Sequence, residues 1–329
     1  MIKTEPQFSI CIPCYQDFDG LKQTIQSIDN SLLNSKVGSV QIRVGLNDCD
    51  FGVTQIKSVF DSVWRLDLVA HETGRYLEYD ECIVFLLSQV STEFCILLGC
   101  GETLGSGFLQ GLIEFSDQGA DFGVIPVEII DRQLASRGKK SDVAEELGHW
   151  RACQRGLFNK VLSGNMFRTA LLHSIMKTNK FLGYEWGHIE LSLLMQTSLT
   201  TSPVIYSHAL ILREKSDEGW WTKSDHYNQY IEYCELMALY AEKYAMLEYA
   251  QTEVRKAFGI RLILMLLQSR SNGLWDRPIF LDHWIADNIR SRIKLFMLSL
   301  IWITPIPLAK LMLAGIHRIL LLKLSIQRV

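Results

Sequence analysis

The chain lacks a surplus of charge of either sign. Its 33 Lys and Arg residues nearly balance 36 Asp and Glu residues, which gives a formal net charge of −3. Proteins that bind nucleic acid by bulk electrostatics carry a clear positive excess, so no nucleic-acid partner is expected. At the same time 48% of the 329 residues are hydrophobic, which is enough for a large core and argues against an intrinsically disordered chain.

The N-terminal region lacks the features of a secretory leader and of a glycine-rich phosphate loop. Residues 1–8 are largely polar and the short apolar run at Ile10 is typical of a strand, so we expect synthesis in the cytosol. The segment from Pro13 to Asp17 contains no glycine. A nucleotidyltransferase that cradles phosphates in a glycine-rich loop is therefore disfavoured.

The cysteines lack the spacing of a zinc site, because no second closely spaced pair accompanies Cys11 and Cys14. A thioredoxin-type redox pair normally follows an earlier βαβ unit, whereas only ten residues precede Cys11. In a cytosolic protein we expect reduced thiols that pack as small apolar side chains. The eight are Cys11, Cys14, Cys49, Cys82, Cys95, Cys100, Cys153 and Cys234.

The C-terminal tail lacks acidic residues after Asp287, whereas Lys and Arg recur between its apolar runs. Its uncharged stretch from Leu295 to Ala309 has about 15 residues and two prolines, and a membrane-spanning helix needs about 20 apolar residues. This composition favours helices that lie on an anionic membrane surface. The alternative is a pair of helices that cover the main domain or a dimer partner.

What the chain does have is a regular alternation of short apolar runs and helical patterns, which is typical of βαβ units. It predicts an α/β fold with a doubly wound, mostly parallel sheet built for a nucleotide. Strands are predicted at Phe8–Ile12, Val40–Leu46, Trp64–Ala70, Phe94–Leu98, Asp121–Ile130 and Val204–Leu212. Helices are predicted at Leu21–Leu33, Val53–Phe60, Tyr79–Gln89 and Gly105–Phe115.

After the βαβ region the chain has a polar segment and then a long segment with a helical pattern. Residues 131–146 are polar and predict either a mobile catalytic lid or an ordinary surface connection. Residues from about 225 to 267 have a helical pattern. We therefore predict a main domain at 1–215, a helical C-terminal extension at 216–289 and membrane-associating amphipathic helices at 290–329.

The segment Phe94–Leu104 is the most informative part of the sequence. It is predicted to form an apolar strand, and a turn of small residues and one carboxylate, Glu102, follow at the end of that strand. Open α/β sheets bind their ligands at this edge. A ligand site is therefore predicted around the triplet Cys100-Gly101-Glu102.

Several segments together resemble the nucleotide-sugar glycosyltransferases of family 2, over about residues 8–215. The first is Ser9-Ile-Cys-Ile-Pro-Cys-Tyr15, similar to the family's opening strand and turn, and the second is Val44-Gly-Leu-Asn-Asp-Cys-Asp50. The third is the triplet at 100–102, where the family has Asp-any-Asp, and the fourth is Gly183-Tyr-Glu-Trp-Gly-His188. The Trp-any-His pattern resembles the abequosyltransferase-like branch of O-antigen and capsule biosynthesis. The resemblance implies a GT-A type fold.

The resemblance implies a nucleotide-sugar site along the ends of the strands. Gly74-Arg-Tyr-Leu-Glu-Tyr-Asp-Glu-Cys-Ile83 is similar to a further stretch of that branch, which implies that Asp80 lies near the sugar-nucleotide. Leu46 stands where the family has its base-reading carboxylate, so the base is not predicted. From the residues alone, Asp80 has an alternative role as a favourable charge in the first turn of a helix. The residues expected to bind the donor are Ile12, Pro13, Cys14, Tyr15, Asn47, Asp48, Asp80, Cys100 and Gly101.

A metal ligand, acceptor contacts and a catalytic base follow from the same resemblance. The resemblance implies a divalent cation, Mg²⁺ or Mn²⁺, with Glu102 as the one triplet carboxylate left to bind it, and weak or absent metal dependence is the alternative that the triplet leaves open. Ser163, Asn165 and Trp186 are expected on the acceptor side, with a helix-capping turn as the alternative for the first two. His188 falls on the position of the base, a task that a neutral imidazole can perform. Its rivals are Glu185 and Glu190.

The expected function is transfer of a sugar, with inversion, from a nucleotide-sugar donor to a hydroxyl of a lipid-linked saccharide in bacterial surface polysaccharide biosynthesis. The expected location is the cytoplasm, peripheral on the inner face of the cell membrane. The loss of the acidic triplet keeps a second hypothesis open: a catalytically inactive glycosyltransferase-like protein that binds sugar nucleotides or glycans.

Overall fold

The structure is a computed structural model that divides into two compact units, Met1–Lys215 and Ser216–Val329. In the first unit it describes residues 7–33, 40–60, 66–130, 162–179, 187–199, 204–206 and 208–214. In the second it describes residues 233, 236–237, 239–240, 267, 304–312 and 314–315. The predicted lid at 131–146 and most of the predicted helical region at 225–267 lie outside these residues.

The central sheet has seven strands: β1 (Phe8–Cys14), β2 (Val40–Leu46), β3 (Leu66–Glu72), β4 (Phe94–Leu97), β6 (Phe122–Val124), β8 (Asn165–Arg168) and β9 (Val204–Ile205). Their order across the sheet is β3-β2-β1-β4-β8-β6-β9. β8 pairs antiparallel with β4 and β6, whereas the other neighbouring strands pair in parallel. A smaller sheet has three strands, β5 (Thr103–Leu104), β7 (Val127–Ile130) and β10 (Ile211–Glu214), in the order β5-β10-β7. The predicted mostly parallel α/β sheet is confirmed.

Six helices lie within the described part of the first unit. They are α1 (Phe18–Leu33), α2 (Val53–Phe60), α3 (Tyr79–Ser88), α4 (Phe108–Asp117), α5 (Thr169–Thr178) and α6 (Gly187–Ser198). The helical pattern of α1 buries Leu21, Ile25 and Ile28, as predicted from their spacing. Every residue of β2 is buried, which is the pattern of a strand covered on both faces.

Two predicted strands are each split between the two sheets. The predicted strand Asp121–Ile130 is interrupted at Pro126, after which the chain leaves the central sheet and forms β7. A proline has no N–H to donate to a continuing ladder, so the interruption falls where the sequence requires one. The predicted strand Val204–Leu212 likewise divides into β9 and β10. This division brings β10 antiparallel to β5, beside the end of β4.

The second unit is described only in short pieces. Residues 306–312 are helical, and the Ala309 N–H donates to the Pro305 carbonyl at 3.0 Å. Large apolar side chains on this helix are exposed, with Leu311 at 70%. The others are Ile306, Leu308 and Met312. Among the residues that the structure describes, none of the helices has the length and apolar character needed to cross a membrane.

Candidate active site

The carboxyl ends of β1, β2 and β4 meet at one edge of the central sheet. The Asn47 N–H donates to the Cys14 carbonyl at 2.9 Å, and the Leu98 N–H donates to the Cys11 carbonyl at 2.9 Å. Of the predicted donor residues on β1, Ile12 is fully buried and Pro13 is half-buried. The predicted ligand edge is therefore formed by residues that directly follow these strands.

Asn47 and Asp48 have different roles at this edge. The Asn47 side chain is buried; its Nδ2 donates to the Leu77 carbonyl and its Oδ1 accepts the Leu77 N–H, both at 2.8 Å. Asn47 therefore holds the loop between β3 and α3 in place. Asp48 is exposed and has a φ of 50°, in the left-handed region that Asp tolerates better than most residues. Asp48 is therefore more accessible than Asn47 for a direct contact with a nucleotide-sugar donor.

Uncharged side chains form the part of this edge that we call the rim: Cys14, Tyr15, Cys49, Tyr76 and Cys100. The Tyr15 and Tyr76 rings meet edge to face with centroids 6.0 Å apart, and both are about half exposed, at 53% and 49%. Since β1 and β3 are parallel members of one sheet, the loops after them place both rings at the same edge. Tyr76 was not predicted as a site residue; its exposed ring beside Tyr15 makes it a further candidate.

The rim thiols contact one another. The Sγ atoms of Cys14 and Cys100 are 3.7 Å apart, and the Cys49 thiol donates to the Cys14 carbonyl at 3.4 Å. The hydrogen bond with Cys100 is the largest influence that raises the pKa of the Cys14 thiol. The six cysteines within the described residues are free thiols, and none forms a disulfide there.

The loop after β4 turns tightly around Gly101, whose φ of 84° suits only glycine without strain. The Gly101 N–H donates to Thr24 Oγ1 at 3.0 Å, and this hydroxyl donates to the Glu102 carbonyl at 2.8 Å. The Gly99 N–H donates to Ser163 Oγ at 2.7 Å and to Glu102 Oε2 at 3.3 Å. α1 and the segment just before β8 thus fix the turn that carries the triplet.

The Glu102 carboxylate is buried beside Arg213 of β10. Its Oε1 lies 3.7 Å from Arg213 Nη1, and the exposed fractions of the two side chains are 5% and 23%. Burial raises the pKa of the Glu102 carboxyl, while the Arg213 charge and the contacts with Ser163 and Gly99 oppose this rise. Both oxygens of Glu102 therefore have partners within the protein.

The first turns of α3 and α6 meet through Asp80. Its buried carboxylate accepts the Gly187 N–H at 2.6 Å, at the N-terminal end of α6, where a negative charge is favourable. A Cβ on Gly187 would lie only 2.8 Å from Asp80 Oδ1, so a larger residue here would force Asp80 or α6 to shift. His188 and Glu190 follow on α6, and both are buried. Asp80 thus positions the helix that carries two predicted catalytic residues.

The contacts at Glu102 and Asp80 bring ionisable side chains together at this edge. We define the charged cluster as Tyr79, Asp80, Glu102, His188 and Arg213. The Tyr79 and His188 rings meet edge to face with centroids 5.9 Å apart. Burial, and then the Asp80 carboxylate, raise the pKa of the Tyr79 hydroxyl, whereas Arg213 opposes them. The structure therefore brings together three predicted residues, Asp80, Glu102 and His188, and adds two that were not predicted.

The predicted acceptor residues occupy buried or undescribed positions. Ser163 and Asn165 are fully buried, and Ser163 supports the turn at Gly99. This arrangement favours a positioning role for Ser163 over direct acceptor contact. Glu185 and Trp186 lie outside the described residues.

The described residues do not fit a divalent cation at the triplet. Mg²⁺ and Mn²⁺ prefer several oxygen ligands, whereas Gly101 has no side chain and Cys100 offers a soft thiol. Glu102 is the remaining carboxylate, and its oxygens already contact Arg213 and Gly99. Within the described part of the chain, His, Cys, Asp and Glu form no group of three or more that could hold a metal ion.

Comparison with known proteins identifies the fold. No protein-family model matches the sequence, and no curated protein matches it either. Among solved structures, TarS residues 1–349 from S. aureus in complex with UDP-GlcNAc superpose with a TM-score of 0.55 at 16% identity, over 86% of this chain and 81% of that one. The mannosyltransferase PcManGT from Pyrobaculum calidifontis in complex with GDP-Man and Mn²⁺ gives 0.56 at 9% identity, over 91% and 84%. The fold is that of a GT-A glycosyltransferase.

A longer TarS structure sets the extent of the similarity. It superposes with a TM-score of 0.54 at 14% identity, over 87% of this chain but only 50% of the TarS chain. The chain therefore spans about half the length of that protein. These similarities confirm the predicted GT-A type fold. The abequosyltransferase-like branch stays a prediction.

Proposed function

We propose that the protein transfers a sugar from a nucleotide-sugar donor to a hydroxyl group of a saccharide. The observation that carries this proposal is the charged cluster at the carboxyl edge of a GT-A sheet, where α3, β4, β10 and α6 converge. Two structures with this fold were solved with nucleotide sugars, UDP-GlcNAc and GDP-Man. The edge also provides a separate uncharged surface, the rim, for a nucleobase.

The roles within the site follow from chemistry. Tyr15 and Tyr76 present aromatic surface on which a base stacks. His188 accepts the proton of the acceptor hydroxyl while its oxygen forms a bond to the anomeric carbon. The bond from that carbon to the diphosphate breaks on the opposite face, and the nucleoside diphosphate leaves with the electron pair. This single displacement inverts the anomeric centre.

Donor binding is the first test of this function. Thermal unfolding should be followed with UDP-, GDP-, dTDP- and CDP-sugars, since a ligand at 100 times its dissociation constant adds about 2.7 kcal/mol of stability. We expect one base to raise the melting temperature and the corresponding sugar nucleotide to be consumed with an acceptor. If none of the sugar nucleotides binds, the proposed function is wrong.

One alternative is a protein that binds sugar nucleotides without transferring the sugar. The observation that favours it is the triplet, in which a thiol and a glycine stand where the family has carboxylates. A donor that binds tightly but is neither hydrolysed nor transferred, with lipid-linked and free saccharides as acceptors, would support this alternative.

We further propose that the tail binds the inner face of the cell membrane, where a lipid-linked saccharide of surface polysaccharide biosynthesis would serve as acceptor. The exposed apolar side chains at 306–312 and the lack of acidic residues after Asp287 support this proposal. Removal of residues from Arg290 onward should abolish sedimentation with anionic vesicles at low salt. Equal sedimentation of both forms would contradict it, and an insoluble truncated protein would instead favour helices that pack on a protein surface.

A further inference from the structure

The pairing of β5 with β10 determines what lies opposite the triplet. These strands are antiparallel, with Ile211 opposite Leu104 and Leu212 opposite Thr103. One further step in this register places Arg213 opposite Glu102. The ion pair of 3.7 Å between them is therefore a cross-strand neighbour contact set by the backbone.

The surroundings of Arg213 differ from those of an ordinary surface arginine. Arg75, in the loop after β3, has a side chain that is 69% exposed and lies 3.6 Å from Glu81. The Arg213 side chain is only 23% exposed, and its partner Glu102 is 5% exposed. Solvent and salt screen a charge such as that of Arg75 strongly, whereas a partly buried charge is screened much less. Arg213 therefore brings a persistent positive charge to the carboxyl edge.

We propose that the Arg213 guanidinium binds the donor diphosphate and takes the place of a divalent cation in this protein. The inference rests on the proposed function. A guanidinium has five N–H donors in a planar fork, so it can bind a carboxylate and phosphate oxygens at once. Glu102 is then a positioning residue that orients this fork rather than a metal ligand.

The chemistry of the leaving group explains why a cation is needed. As the bond from the anomeric carbon to the diphosphate oxygen breaks, the electron pair remains on that oxygen and negative charge develops there. A fixed positive charge beside this oxygen lowers the barrier without reorganisation at the moment of reaction. The triplet of this chain has lost the oxygen ligands for a metal ion, and it retains the one carboxylate that holds an arginine.

The test measures the dissociation constants of UDP, GDP, dTDP and CDP by calorimetry, in EDTA and in MnCl₂, for the full chain. We expect wild-type protein to bind at least one of them with nearly the same affinity in both conditions. Arg213→Gln should weaken this binding roughly 10- to 100-fold in EDTA, since hydrogen bonds to charged groups contribute about 1.5–3 kcal/mol. The affinity of Arg213→Gln for the corresponding nucleoside, which lacks the diphosphate, should be almost the same as that of the wild-type protein.

Arg168 provides the matched control. It pairs with Glu93 and Asp121, both at 3.0 Å, and lies opposite Phe94 at the other end of β4. Arg168→Gln removes a comparable arginine–carboxylate contact away from the ligand edge. It should lower thermal stability while leaving the dissociation constants unchanged.

A double variant guards against misfolding of Arg213→Gln, which leaves the buried Glu102 charge without its ion pair. Glu102→Gln/Arg213→Met removes both charges together and keeps an apolar stem of similar length, a change that proteins tolerate far better than removal of one partner. It should show the same loss of affinity in EDTA. Wild-type affinity in this folded variant would overturn the inference.

Two results separate failure of the inference from failure of the function. If wild-type protein binds a diphosphate in MnCl₂ but not in EDTA, and Arg213→Gln binds equally well, a metal ion carries the charge and the inference is wrong while the function stands. If none of the four diphosphates binds under either condition, both are wrong.

Discussion

The rim and the charged cluster lie at the same edge of the sheet, yet they are built from opposite kinds of side chain. The rim has thiols and two exposed tyrosine rings, which are uncharged and face solvent in part. The cluster has two carboxylates, a guanidinium, an imidazole and a phenol, most of them buried. The buried ionisable side chains of the cluster lie close enough to influence one another's charge, whereas the rim offers uncharged surface, so the chemistry should depend on the cluster and affinity for a base on the rim.

The change that should separate the two regions most strongly is His188→Ala in the cluster. A positioned base contributes 10²- to 10⁴-fold to the rate, about 3–5 kcal/mol of barrier. We expect kcat to fall by that factor while the donor dissociation constant stays nearly constant. Turnover of the wild-type protein should also fall on acidification, because a protonated imidazole cannot accept the hydroxyl proton.

His208 offers the control for this measurement. It is an exposed histidine whose Nε2 lies 3.4 Å from Glu114 Oε2 and whose ring meets that of Tyr206. His208→Ala should leave kcat unchanged. A folded His188→Ala protein with near-normal turnover would exclude the base role and redirect attention to Glu190 and Glu185, each tested as the Gln variant.

The second prediction breaks the link that positions the cluster. Gly187→Ala places a methyl group 2.8 Å from Asp80 Oδ1 and 2.9 Å from its Cγ, so Asp80 or α6 has to shift. We expect a loss of about 1–3 kcal/mol in the free energy of unfolding, as for other overpacked positions. The turnover should fall as well, because α6 carries His188. Denaturant unfolding and initial rates measure the two effects.

A glycine in open space is the control. A Cβ on Gly315 would meet no atom within 4 Å, and Gly315 lies in a helix, where Ala is favoured over Gly, so Gly315→Ala should lower neither stability nor turnover. If Gly187→Ala is as stable and as active as the wild-type protein, the contact between Asp80 and α6 does not control the site.

The third prediction concerns the rim alone. Tyr76→Ala removes one ring of the exposed pair, and stacking of a base on an aromatic side chain contributes about 1–3 kcal/mol. The donor dissociation constant should rise roughly 5- to 100-fold while kcat at saturation stays close to normal. Tyr76→Phe keeps the ring and should bind like the wild-type protein. An unchanged dissociation constant in Tyr76→Ala would show that the ring does not contact the base.

The sequence predicted only part of the rim and part of the cluster. Local periodicity located α1 and β2 correctly, and the strand before the triplet placed Glu102 at the carboxyl edge of the sheet. Arg213 could not be found in this way, because its contact with Glu102 depends on the register of two strands more than a hundred residues apart. Tyr79 lies directly before the predicted site residue Asp80, but only the fold shows that its ring meets His188.

The smallest expected effect is that of Cys100→Ala in the rim. The variant removes the hydrogen bond that contributes most to the raised pKa of the Cys14 thiol. Since the thiolate is the reactive form, a lower pKa increases its fraction at mildly alkaline pH, and Cys14 should be alkylated faster by iodoacetamide. Donor affinity should change by less than about threefold, because the rim thiols carry no charge toward the diphosphate.

Peptide mass spectrometry resolves this prediction cysteine by cysteine. Cys95 provides the internal reference, since burial raises its pKa to about 12 and the substitution lies outside its surroundings. Faster alkylation of Cys14 with an unchanged rate at Cys95 would confirm the local effect of Cys100. If both rates rise together, the variant has loosened the whole edge of the sheet, and the rim and the cluster are then mechanically coupled rather than separate.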